Sequence, residues 1–291
     1  MKRSLPDILP RPRFHREGTV RFYERAVERV ICAMLDHLGE PLNLDRLAKI
    51  AIISPYHFHR VFALITGITP GRFLTALRIE KAKRLLATST LGITDVCLEV
   101  GYNSLGTFTT IFTSFVGVSP NRFRCLAAGK GQPLLVRRLT KQVNSQNRFR
   151  NSIIEGTVSA SPIFIGVFPT RVPQGFPIAG TKIIAPGYYR IEGVPNGVHY
   201  LLAAAVYGSQ GTRRLLLPEK GFLYVAHAGP ISVLADRVSV QSELVLRRVD
   251  LTDPPVLIAL PLLVAAETPA VFGSTTALPL GQEHIVRIAC C

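Results

Sequence analysis

From Val20 to Leu38 the apolar residues fall along one side of a helix: Phe22, Ala26, Val27, Val30, Ile31, Met34 and Leu35 recur at intervals of three and four. The same period returns at Leu44, Leu47, Ile50 and Ala51, and again at Phe58, Val61, Phe62 and Ile65. Between those two runs Ser54-Pro55 has the form of an N-cap followed by a first helical residue. Gly67 reads as a stop and Thr69-Pro70 as a new start, for a helix running to about Ala87. With the phenylalanines turned inward, the short second helix leaves an outer stripe of Tyr56, His59, Arg60 and Ala63. From Ser152 the period changes. Val-, Ile-, Phe- and Tyr-rich runs alternate with Pro and Gly: SIIEGTVSA, PIFIGVFP, FPIAGTKIIA, GYYRIEGV, GVHYLLAAAV, FLYVAHA and ELVLRRV. Short strands at this density, with a turn signal between each, predict an all-β sandwich.

The helical part repeats itself after 50 residues. Asp45/Asp95, Ser54/Ser104, Phe58/Phe108, Phe62/Phe112, Gly67/Gly117, Pro70/Pro120, Arg72/Arg122 and Phe73/Phe123 are identical pairs. A two-fold repeat describes a duplicated small module, because a solenoid needs at least three. In the second copy the outer stripe becomes Gly106, Thr109, Thr110 and Thr113. A helix, a tight turn and a second helix with a polar outer stripe form a helix-turn-helix, here present twice.

SPYHFHRVFALITGITPGRF, followed by RIEKAKRLLATSTLGITDVCLEVGYNSLGTFTTIFTSFVGVSPNRFR, resembles the DNA-binding domain of the AraC/XylS family of transcription regulators. The resemblance covers residues 19–128 and implies that both second helices enter successive major grooves of double-stranded DNA. Carried over by position, it implies base contacts from Tyr56, His57, His59 and Arg60, and from Leu105, Gly106, Thr107 and Thr110. It also implies promoter activation through RNA polymerase, with an unknown small-molecule effector. Two positions depart from the family. Ile52 stands where its first turn usually has glycine, which predicts a tight or strained turn. The second reading helix has no Arg, Lys, Gln, Asn or His between Ser104 and Val116, which predicts a degenerate second half-site. In the β half, PGYYRIEGVPNGVHYLLAAA resembles the carboxypeptidase-regulatory-like, or transthyretin-like, β-sandwich group. That resemblance implies a fold and no ligand.

Charge follows the same division. Residues 1–150 carry 24 Lys and Arg against 10 Asp and Glu, whereas residues 151–291 carry 10 against 9. The basic half is the one with the paired motifs, as a phosphate-binding surface requires. Phosphate-contact candidates are Arg72, Arg78, Lys81 and Lys83, read as lying on the outside or at the edges of the linking helix, with Arg122 and Arg124 after the second motif. The organisation expected is a flexible basic arm (1–18), a double helix-turn-helix domain (19–128), a basic linker (129–150), a β-sandwich able to fold alone (151–255), and an apolar strip and tail (256–291).

Other chemistry finds little footing. The histidines show no metal-ligand spacing, and His57 and His59, two apart on a helix, point in different directions. The second half has no nucleophile elbow, so neither an enzyme, a metal nor a cofactor is expected. Five cysteines without zinc or redox spacing suit a reducing, cytoplasmic setting, with Cys32 and Cys97 on apolar helix faces. PVLIALPLLVAA near the end is shorter than a membrane span. The alternative to a transcription regulator is a DNA-tethered scaffold whose β-sandwich mediates oligomer or partner contacts.

Overall fold

A computed structural model describes residues 17–130, 153–158, 163–173, 175, 177–183, 187–206, 216–218, 220–233 and 244–257, and the structural statements that follow concern these. Most of the expected basic arm, nearly all of the linker, and the tail with Cys290 and Cys291 lie outside the described residues.

Seven helices come first: α1 (Glu17–Asp36), α2 (Leu44–Ala51), α3 (Pro55–Thr66), α4 (Pro70–Thr88), α5 (Ile93–Glu99), α6 (Leu105–Val116) and α7 (Pro120–Ala127). On α1, Ala26, Val27, Val30, Ile31 and Met34 are fully buried. Phe22 and Leu35, assigned to the same face, are instead exposed. A helical residue turns by about 100°, which carries Phe22 well off the centre of that face and brings Tyr23 onto it. Cys32 is likewise exposed, whereas Cys97 is buried as expected.

The repeat is visible in the packing. In the first unit Phe58, Phe62 and Phe73 stack edge to face, with centroids 5.5 and 5.4 Å apart. In the second, Phe108, Phe112 and Phe123 repeat the arrangement at 5.7 and 5.8 Å. The two cores share α4, whose Phe73, Leu74 and Leu77 belong to the first and whose Ile79, Ala82 and Leu86 belong to the second. At ~1.5 Å per residue the 19 residues of α4 form a spacer of roughly 28 Å.

All seven predicted strand segments contain strands: β1 (Ile153–Val158), β2 (Ile163–Phe168), β3 (Ala179–Ile183), β4 (Gly187–Glu192), β5 (Gly197–Val206), β6 (Leu223–Val233) and β7 (Arg247–Arg248). They form a five-stranded antiparallel sheet in the order β3-β2-β5-β6-β7, and a β1-β4 pair. Alternation sorts the five-stranded sheet into two faces. Ile163, Ile165, Val167, Leu201 and Ala203 share one core with Tyr189 and Ile191 of β4. Phe164, Phe168, Leu202, Ala204 and Val225 line the other.

The helical cores are completed by side chains from the β half. Val172 is buried in the first unit's core and Leu251 packs against it. Leu216 and Leu257 are fully buried in the second. This seam explains a correction. Lys83, expected on the outside of α4, is only 2% exposed, because the seam it lines also holds Leu217, Pro218 and Val256. Its ammonium lies 5.8 Å from the centroid of the Phe123 ring, and burial pulls its pKa down to about 8.

Candidate nucleic-acid interface

Each unit places its second helix by a short first helix, a left-handed turn and a glycine stop. Asn43 caps α2, its side-chain oxygen accepting from the Arg46 N–H at 2.9 Å. The helix ends at Ile52, whose φ of 60° is left-handed and whose side chain is 78% exposed. The predicted tight turn is therefore strained in its backbone and not packed. Gly101 takes the left-handed position in the second unit, with φ of 84°. Two residues, Tyr102 and Asn103, then precede the Ser104 cap, against Ile53 alone before Ser54. Pro55 opens α3, while the Ser104 hydroxyl accepts from the Thr107 N–H to open α6. Gly67 and Gly117, with φ of 80° and 91°, end α3 and α6 in the same way.

Because Phe58 and Phe62 face inward, Tyr56 is thrust out to 83% exposure, and His59 and Arg60 are exposed beside it. His57 is not with them. Its ring turns back to α1, where Nε2 lies 2.9 Å from the Tyr23 hydroxyl. Tyr23 and His57 meet edge to face, with centroids 5.2 Å apart. His57 is thus half-buried and turned toward α1, unlike the other three base-contact candidates of this helix.

On α6, Leu105, Gly106, Thr107 and Thr110 are all exposed. Thr113 is exposed too, but its hydroxyl donates to the Thr109 carbonyl at 2.7 Å, within its own helix. The two outer faces differ in chemistry. That of α3 offers a guanidinium, an imidazole and a phenol; that of α6 offers hydroxyls, methyl groups and one leucine.

The phosphate candidates divide. Arg72 and Arg122, fifty residues apart in the repeat, sit exposed in the first turns of α4 and α7 and have no hydrogen-bond or ion-pair partner among the described residues. Arg78 is committed to the fold. Its Nε donates to the Leu38 carbonyl at 2.9 Å and its Nη2 to the Glu40 carbonyl at 2.7 Å, while the guanidinium lies over Tyr102. Lys81 is paired with Glu99 at 2.8 Å, and Arg124 donates to the Leu91 carbonyl. Lys83 is buried, as described above. Residue type and periodicity marked these cations alike, but the carbonyls that engage Arg78 and Arg124 lie more than thirty residues away in sequence.

One basic residue near the interface escaped the sequence reading. Arg171, from the connection after β2, lays its guanidinium against Gly67 at the end of α3. It lies 104 residues further along the chain than Gly67, and no local pattern marks it. Among the described residues no cluster of His, Cys, Asp and Glu could hold a metal ion, and no helix is long and apolar enough to cross a membrane.

The helical half is similar in sequence to known proteins. A family described as a helix-turn-helix domain matches residues 47–125. The MmsAB operon regulatory protein of Pseudomonas aeruginosa is 34% identical over 122 residues, 42% of this chain and 38% of that protein. The HTH-type transcriptional activator RhaS of Escherichia coli is 34% identical over 89 residues, 31% of this chain and 32% of that protein. This chain thus spans less than half the length of either relative. Among solved structures, the DNA-binding domain of AdpA, a global transcriptional factor in complex with a target DNA, is 30% identical. The match covers 36% of this chain and 95% of that one, with a TM-score of 0.35.

Proposed function

We propose that this chain, whose helical half is an AraC-type helix-turn-helix DNA-binding domain, is a sequence-specific transcription regulator that reads two successive major grooves. The observation that carries the reading is the duplicated outer stripe. Two matching phenylalanine triads turn Tyr56, His59 and Arg60 outward on α3, and Leu105, Gly106, Thr107 and Thr110 outward on α6. Arg60 can grip a guanine edge with two hydrogen bonds; the α6 side chains can touch a thymine methyl or make single hydrogen bonds. Arg72 and Arg122 are the phosphate contacts that fix register on either unit, and His57 acts by holding α3 to α1.

The β half is read as a sandwich of the carboxypeptidase-regulatory-like kind. Support comes from the seven strands and from the packing of Tyr189 and Ile191 on the five-stranded sheet. Residues 151–291 also hold nearly balanced charge, which suits a role in sensing or contacts. Activation would proceed through RNA polymerase in a cytoplasmic setting, and a small-molecule effector would act through the β half. RhaS is named as an activator, and this chain's similarity to it favours activation over repression.

The test is a reporter gene behind a promoter carrying a DNA site selected by the chain. Expression of the full chain should raise its output, and Arg60→Ala should weaken the response at equal protein level. Output indifferent to the chain, despite demonstrated binding at the site, would refute the regulatory reading.

A further inference from the structure

The connection between β2 and β3 touches the same end of both reading helices. At the first, a Cβ on Gly67, the C-cap of α3, would lie 2.8 Å from the Arg171 guanidinium carbon. The next residue, Val172, is buried in the first unit's core. At the second, the Gly175 N–H donates to the Phe115 carbonyl at 3.2 Å, two residues before the C-cap of α6. A Cβ on Gly175 would come within 3.2 Å of the Ser114 carbonyl oxygen. The Thr170 hydroxyl donates to the Val172 carbonyl at 2.8 Å and closes the first part of the connection on itself.

Four residue steps separate Arg171 from Gly175, so their Cα atoms can be no more than about 14 Å apart even when fully extended. A segment of the β half therefore ties the ends of α3 and α6 across one short reach. Arg78 supplies a second tie, from the Leu38 and Glu40 carbonyls to the Tyr102 ring. Elsewhere α4 is the helix common to both cores.

We infer that the Arg171–Gly175 connection sets the separation of the two DNA half-sites, making the β half a specificity-determining part of the reader. This rests on the reading of α3 and α6 as the DNA-reading helices. Base identity is read by the outer stripes; the strap decides how far apart the two stripes stand. One added base pair moves a half-site by about 3.4 Å and turns it by roughly 35°. A pair of helices strapped at their ends cannot follow that displacement, and a pair joined by α4 and Arg78 alone follows it more readily.

The experiment measures the affinity of the full chain for a selected DNA site and for the same site with one base pair added to, or removed from, the spacer. Wild type should lose about tenfold at either altered spacing, the worth of one good base contact. Val172→Asp drives an unpaired carboxylate into the first core and expels the strap there. Gly175→Val pushes it off the α6 carbonyls without entering a core. Each should narrow the spacing penalty to within about threefold while keeping the base preference of each half-site. If Val172→Asp melts without cooperativity, Gly175→Val carries the comparison. A cooperatively melting variant that keeps the tenfold penalty overturns the inference. So does a wild-type chain that accepts all three spacings equally, whatever the variants do. Failure of the underlying reading looks different, because the wild-type chain would then prefer no selected duplex over random DNA.

Discussion

Replacing Arg78 by alanine should damage the fold and leave the salt dependence of DNA binding alone. The guanidinium donates to the Leu38 and Glu40 carbonyls at 2.9 and 2.7 Å and lies 5.7 Å from the Tyr102 ring centroid. Hydrogen bonds from a charged group contribute ~1.5–3 kcal/mol each, and the lower end applies to a half-buried donor. An exposed cation–π contact adds ~0.5–1 kcal/mol. Water can reach the freed carbonyls and recover part of this, so the expected loss is about 2–3 kcal/mol. For a chain of this size that is a fall in melting temperature of roughly 3–5 °C. Arg78→Lys should recover less than half of it, since an ammonium lacks the fork that spans two carbonyls. The assay pairs thermal unfolding by circular dichroism with a salt titration of DNA affinity, using Arg72→Ala as the contrast. Arg72→Ala should melt like wild type and flatten the log–log salt slope by about 0.9, one phosphate contact. An unchanged melt for Arg78→Ala together with a flattened slope would refute the assignment and return Arg78 to the phosphates.

Three further expectations can be measured directly. Lys83 titrates at about 8 in the fold against an ordinary 10.5, so its burial penalty is fully present below pH 8 and is relieved as pH rises from 8 to 10.5. Lys83→Met should therefore be the more stable protein at pH 7, by up to about 3 kcal/mol, and denaturant melts should show the gap closing by pH 10.5; a gap independent of pH contradicts this. Ile52→Gly relieves a left-handed β-branched residue and should raise stability by about 0.5–1 kcal/mol, after the extra unfolded-chain freedom of glycine is subtracted; a destabilised variant would show that the turn carries no strain. Arg60→Ala should relax base preference at one position by about 1–3 kcal/mol, whereas Thr110→Ala should cost only a little affinity, and equal losses in a competition assay would defeat the contrast between α3 and α6.

Much of the helical half was legible because its signals are local. The phenylalanine spacing, the Ser-Pro and Thr-Pro starts and the terminal glycines each act within one or two turns of helix. They place the ends of α3, α4 and α6 within a residue or two. The strands were legible for the same reason, since alternation and Pro/Gly punctuation mark each one. What escaped depends on tertiary partners. Periodicity cannot distinguish Arg72 in solvent from Arg78 on two carbonyls, because those carbonyls arrive from the turn after α1. It cannot bury Lys83, because the seam that Lys83 lines is built in part from residues that follow Arg150. His57 is a milder case. The helix geometry that separates it from His59 was available, but its partner Tyr23 could be found only once α1 was packed.

The central claim is that two unlike helices of one chain read two adjacent stretches of DNA. Selection of bound duplexes from random DNA, followed by a salt titration on the winners, tests it most directly. The account predicts two half-sites about one helical turn, 10–10.5 base pairs, apart. The half-site under α3 should be sharply defined, and the one under α6 degenerate and rich in thymine. Affinity should fall with salt at a log–log slope near −0.9 for every phosphate engaged. Equal affinity for selected and random DNA, or a flat response to salt, would contradict it.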